Sequence, residues 1–282
     1  MLLELAVGDA YGAGFEYANE LVEKHNDLSR YVQHPRHKAT RPGMYTDDTQ
    51  MSIAIAELIV SGADWTPLNI ANHFVDCFKR DERGGYAGGF QDFLQSIHSG
   101  REFLDKIRPD SDKSGSAMRA APIGIYPTVD EVLEKAEIQA KLTHNTPDGI
   151  QAAQAAALMA HYFLYDCGTK SEVGAWLERQ FPSSHRWNEP YKGKVKTKGW
   201  MSVRAAITAV MRNSSMSNLL KHCIAFMGDV DTVATIALGA AAHSKEVTQD
   251  IPQHLIDMLE NGTYGRDYLV QLDKKLLELV VV

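Results

Sequence analysis

Apolar residues recur along this chain at helical spacing, and polar stretches separate them. Leu2, Leu3, Leu5, Ala6 and Val7 predict a short opening helix. The glycines Gly8, Gly12 and Gly14 follow, and they mark either a helix end and turn or a close backbone approach. Met51, Ile53, Ala54, Ile55, Ala56, Leu58 and Ile59 predict a buried helix over Met51–Val60. Ile70, Ala71, Phe74, Val75 and Phe78 predict another, and Phe90, Phe93, Leu94 and Ile97 a third. Asp130 to Leu142 reads as amphipathic. Gly149 to Tyr165 reads as a long alanine-rich helix, with Pro147 in its first turn and Asn145 or Thr146 as cap. Helical spacing returns over 171–181, 202–211, 218–227, 233–242, 253–260 and 266–280. No convincing strand, internal repeat or linker interrupts the series. The pattern predicts an all-α fold, a compact multi-helix bundle forming a single domain over residues 1–282.

Composition narrows the class. At 282 residues and 44% hydrophobic, the chain has ample material for a core. A net charge of −7 argues against a dedicated nucleic-acid clamp, although it is compatible with a local basic patch. Cys77, Cys167 and Cys223 form neither a disulfide framework nor a zinc motif and fit a reducing compartment. No apolar run is long enough to span a membrane. The opening residues carry Glu4 and do not read as a signal peptide. A cytoplasmic protein with no membrane partner is expected.

Chemistry concentrates at two helix starts. Tyr45-Thr46-Asp47-Asp48-Thr49-Gln50 precedes one apolar run, and Gly228-Asp229-Val230-Asp231-Thr232 precedes another. Thr and Asp are good caps, and acids favour the positive end of a helix dipole, so either start taken alone reads as capping. Two such starts change the balance. Four aspartates brought together inside a protein need a cation, or some of them must protonate. Oxygen donors of this kind suit magnesium, manganese or calcium and not zinc.

Other stretches border on chemistry. Asp9 and Glu16 bracket the first glycines. His25, His34 and His37 lie in a polar stretch, match no ligand spacing and read as exposed loop histidines. The loop from Arg83 to Phe90 is glycine-rich and borders a ligand or joins two helices. Ser111 to Ser116 is a Ser/Gly loop entering a helix, an arrangement whose backbone N–H groups often hold phosphate. Arg119 lies in an apolar run and needs an acidic partner or an anionic ligand. His144 reads as structural. The segment from Pro182 to Gly199 interleaves Arg186, Lys192, Lys194, Lys196 and Lys198 with Trp187 and Tyr191, and Trp200 follows; it is a solvated loop, or a contact for a phosphate-bearing substrate or nucleic acid.

Five of these segments, in order, resemble the ADP-ribosylglycohydrolase family, which includes the dinitrogenase reductase-activating glycohydrolases. Gly8-Asp9-Ala10-Tyr11-Gly12 resembles its GDALG element, Thr46 to Met51 its TDDTQM segment, and Ser114 to Pro122 its GNGAAMRVAP loop. Thr143-His144 resembles its TH segment and Gly228 to Thr232 its GGDTDT. The likeness implies an all-helical fold around a binuclear magnesium or manganese site. Thr46, Asp47, Asp48, Asp229, Asp231 and Thr232 would be the metal ligands, and Ser114, Gly115, Ser116, Ala117, Met118 and His144 would hold ADP-ribose. It implies hydrolysis of the bond between ADP-ribose and an acceptor such as an Arg or Ser side chain, or another ADP-ribosylated molecule, releasing ADP-ribose. Asp48 would guide water, Glu16 would help protonate the leaving group, and Asp47 would complete the catalytic set. Competing readings are a weakly active ADP-ribose-binding or structural relative, and another binuclear-metal hydrolase. Nucleic acid is not an expected partner. Met227, Val230 and the Lys113-Ser114-Gly115-Ser116 run depart from the family pattern, and the basic loop matches none of its motifs.

Overall fold

The computed structural model describes residues 1–280, so the last two positions of the expected 1–282 domain lie outside the described residues. Among the described residues fifteen α-helices run in order: α1 Leu2–Ala13, α2 Asn19–His25, α3 Asp47–Ser61, α4 Pro67–Arg80 and α5 Gly88–Ser96. Then come α6 Gly100–Lys106, the single turn α7 Gly115–Met118, α8 Val129–Lys141, α9 Pro147–Leu164 and α10 Val173–Gln180. The series closes with α11 Gly199–Arg212, α12 Met216–Ala225, α13 Val230–Ala241, α14 Gln253–Met258 and α15 Arg266–Leu277. Among the described residues the only β pairings are isolated bridges. The fold is an all-α multi-helix bundle.

The centre is α13. Every residue from Val230 to Ala241 is buried, an all-round burial that explains why its sequence shows small and apolar residues on every face. Around it pack α1, α9, α11 and α12, with α3 beyond α1. Local signals hold the ends. Thr66, Thr128 and Thr146 each accept a bond from the backbone N–H three residues on, and Pro follows directly at α4 and α9.

α1 does not end at Gly8, as one reading of its glycines predicts. It continues to Ala13, and Gly8 and Gly12 form the face it turns toward α13, while Gly14 caps its end against Val32. A Cβ on Gly8 would stand 2.8 Å from the Ala234 carbonyl oxygen, and one on Gly12 would stand 2.4 Å from the Asp231 Cα. Close approach of two backbones outweighs the weak helix propensity of glycine.

Candidate active site

Asp9 ties α1 to α3. Its carboxylate is fully buried and accepts four bonds: from the Thr46 and Thr49 N–H groups at 2.9 and 3.0 Å, and from their hydroxyls at 2.7 and 2.6 Å. α3 therefore starts without a side-chain cap of its own and is capped from another helix. This fixes Asp47 and Asp48, both buried, in the first turn of α3.

Asp229 and Asp231 are placed by a different device. Gly228 has φ +95°, and a Cβ there would meet the Val195 carbonyl oxygen at 1.8 Å, so only glycine fits. The Val195 N–H donates to the Met227 carbonyl at 3.0 Å, and the Asp229 N–H to the Val195 carbonyl at 3.2 Å. Ser202 on α11 donates to Asp229 Oδ2 at 3.1 Å, and Asp231 Oδ1 accepts from the Thr232 N–H at 2.9 Å. Glu16 arrives from the turn after α1. The next residue, Tyr17, donates its N–H to the Gly228 carbonyl at 2.9 Å, and His34 Nε2 donates to the Glu16 carbonyl at 2.8 Å. His34 is thus buried and structural, not an exposed loop histidine.

These acids share one cavity of about 490 Å³. Glu16, Asp229 and Asp231 each bring a carboxylate oxygen within 4.8 Å of the others, and Asp47, Asp48 and Thr232 line the same cavity. Burial, then mutual repulsion, pushes the carboxyls of Asp47, Asp48 and Asp231 well above the ordinary range. Burial with Asp229 and Asp9 nearby pushes Glu16 up to about 7. Asp48 Oδ1 is buried with no hydrogen-bond partner. An orphaned carboxylate oxygen within a wall of hard oxygen donors fits a hard divalent cation, which would satisfy it and lower every one of these pKa values.

The rest of the cavity is of another character. Ser114, Gly115 and Met118 of the short turn line its middle, together with Thr143 and His144. Ser116 and Ala117 are buried in that turn, where the Ser116 hydroxyl donates to the Gly149 carbonyl at 2.8 Å. Phe90, Phe93 and Ile107 add apolar lining, and the exposed Lys106, Arg108 and Lys113 form a basic mouth. The glycine-rich loop borders the site: Gly85, at φ +108°, passes so close to Asp47 that a Cβ would meet its Oδ1 at 2.1 Å. Its Tyr86 donates to Gln50 Oε1 at 2.7 Å.

Among the described residues Arg119 has no acidic partner. It bonds Gln139 and Thr143 and lies over the Phe74 ring, 4.5 Å from its centroid. The basic excursion is stitched to the site through Val195 and Thr197, but its aromatics do not offer a stacking platform: Trp187 is 1% exposed and Tyr191 9%. Sequence reasoning missed the roles of Asp9, Ser202 and Thr143. Only the place of Asp9 beside the glycines and of Thr143 beside His144 gave any sign.

Comparison with known proteins follows the same line. A family model described as ADP-ribosylglycohydrolase matches residues 1–281. The chain is 26% identical over 303 residues to ADP-ribosylhydrolase ARH3 of Xenopus tropicalis, with 87% of this chain and 86% of that protein covered. It is 26% identical over 269 residues to the ADP-ribosyl-(dinitrogen reductase) glycohydrolase of Rhodospirillum rubrum, covering 92% and 88%. A solved structure titled ADP-ribosylglycohydrolase-related protein complex superposes with a TM-score of 0.73 at 20% identity, over 99% of this chain and 96% of that one, and shows the same fold.

Proposed function

The chain belongs to the ADP-ribosylglycohydrolase family, and from that premise we propose that it is a cation-dependent hydrolase of the bond joining ADP-ribose to an acceptor, releasing ADP-ribose. The acceptor class is a protein side chain such as Arg or Ser, or another ADP-ribosylated molecule. The carrying observation is the convergence of Asp47, Asp48, Glu16, Asp229 and Asp231 on one end of the cavity, with Asp48 Oδ1 unpartnered.

Two magnesium or manganese ions would be held by Thr46, Asp47, Asp48, Asp229, Asp231 and Thr232. Bound there, they would orient ribose hydroxyls and make water a better nucleophile. Thr46 is buried beside the cavity lining and not in it; its hydroxyl proton goes to Asp9, which leaves the oxygen lone pairs for an ion. The chain's own groups do the rest. The Asp48 carboxylate orients the attacking water toward the ribosyl carbon, where positive charge develops as the glycosidic bond lengthens, and takes up the proton that the water loses. Asp47 stands beside it and adds negative charge opposite that centre. Glu16, at the other wall, holds the proton that the leaving group takes up. Ser114 to Met118 and His144 hold the diphosphate and ribose; the Ser116 and Ala117 side chains do so by shaping the turn.

The test is a substrate panel read by mass spectrometry, with and without magnesium or manganese. Release of intact ADP-ribose, abolished by a chelator and restored by the ion, is the expected result. Release of AMP, or turnover indifferent to chelation, sinks the proposal.

A further inference from the structure

Arg119, Thr143 and His144 line the cavity side by side, joined by hydrogen bonds that the proposed chemistry does not use. Arg119 is 1% exposed, and among the described residues its hydrogen bonds go to Gln139 and Thr143 and to no carboxylate. Burial pulls its pKa down to about 9, still above neutrality, so the group is a cation. Its Nε donates to Gln139 Oε1 at 2.7 Å, and its Nη2 to the Gln139 carbonyl at 3.2 Å and to Thr143 Oγ1 at 2.7 Å. Gln139 in turn donates to the Ser116 carbonyl at 2.9 Å. The turn Gly115–Met118 and His144 are therefore backed by one buried cation.

The direction of the next bond follows. A guanidinium only donates, so Thr143 Oγ1 accepts from it. The Thr143 proton then needs an acceptor, and His144 Nδ1 lies 2.6 Å away. If Nδ1 carried the ring proton instead, the buried hydroxyl proton of Thr143 would be left without a partner, which is costly. Nδ1 therefore accepts, and the neutral ring keeps its proton on Nε2. Burial with Arg119 and Lys113 nearby holds the His144 pKa at about 3, so the ring is neutral at physiological pH. Nε2 lies on the side of Gly115, where a Cβ would stand 3.2 Å from it. Both residues line the cavity.

We propose that Arg119 and Thr143 are positioning residues that lock His144 in its Nε2–H form, so that the ring offers a hydrogen-bond donor to an anionic substrate oxygen. The lock explains how a neutral histidine selects an anion: an acceptor nitrogen there would repel phosphate oxygen, and a donor nitrogen binds it. The anion is the diphosphate of the substrate class proposed above, and that part rests on the proposed function. The lock itself does not.

Long-range proton–nitrogen NMR on the ¹⁵N-labelled full chain reads the tautomer, with the His144 signal assigned by its loss in His144→Asn. The wild type and Thr143→Ser are expected to show Nε2–H alone, and the isosteric Thr143→Val a mixture with Nδ1–H. In steady-state kinetics Thr143→Val should raise KM for an ADP-ribosylated substrate about tenfold, with kcat within about twofold, and Thr143→Ser should restore it. A purely structural role would lower Tm and leave the tautomer unchanged. Nδ1–H in the wild type, or pure Nε2–H in Thr143→Val, overturns the proposal. If no ADP-ribosyl bond is cleaved, the function fails, and the NMR result still decides the lock.

Discussion

Asp48 illustrates how one side chain divides its service between stability and chemistry. Its Oδ1 lies buried without a partner among other acids, so without a cation it burdens the fold. Asp48→Asn should therefore lower kcat by about 100-fold or more. Its cation-free Tm should equal or exceed that of the wild type, because the amide removes a like charge. Glu16→Gln should show the same separation. Full activity in either variant, read by ADP-ribose release, removes that residue from its role. His144 gives a second prediction. Its folded pKa of about 3 lies below its ordinary 6.5, so between these values the unfolded chain binds the proton and the folded chain does not. The stability it contributes is complete above about 6.5 and is lost as pH falls toward 3. Urea unfolding from pH 7 to pH 4 should show a shallower acid-side decline in His144→Asn than in the wild type; equal slopes would refute this.

The packing of α1 against α13 reverses a usual rule. Alanine in place of a mid-helix glycine normally stabilises by up to about 1 kcal/mol. Gly12→Ala should instead destabilise by about 1–3 kcal/mol, because its methyl group would press on the backbone of Asp231. The same variant should weaken the rise in Tm that a divalent cation produces, since it displaces a proposed ligand. Denaturant titration with and without the ion measures both effects. These glycines also mark how far sequence reading reaches between elements. Close backbone approach was legible in Gly8 and Gly12, and the helix running through them was not, because its stability comes from a partner more than two hundred positions away. The capping of α3 was legible in kind, from Thr46 and Asp47, but its agent was hidden: Asp9 lies 37 and 40 positions from the residues it bonds. The basic excursion was legible as an exposed loop, and Arg186, Lys192, Lys194 and Lys196 are exposed; residue type could not tell that Trp187 faces the core.

Taken together, the helices build a cavity with an acidic floor and a basic mouth in a chain of net charge −7. Both ends have measurable consequences. Millimolar magnesium or manganese should raise Tm by several degrees, and chelation should return it, because the ion binds the folded state alone. An unchanged melting curve would count against any ion at the acidic floor. At the mouth, Lys106, Arg108 and Lys113 should draw in an anionic substrate, so KM should rise with ionic strength while kcat holds. A KM insensitive to salt would show that the mouth does not steer. The order of acidic and glycine segments made the floor legible in the sequence. The walls were not, since Phe90, Ile107 and Lys113 meet only through packing of α5, α6 and the loop before α7.

The floor draws on helices from opposite ends of the chain, and this sets a timetable for synthesis. A ribosome completes α1 and α3 early, while α13 is still unmade. Until Ala241 has emerged, the glycine face of α1 has nothing to rest against, and Asp47 and Asp48 lack the Asp229 and Asp231 carboxylates that complete the acidic lining. The nascent protein is therefore idle, and competence comes with the late arrival of one helix.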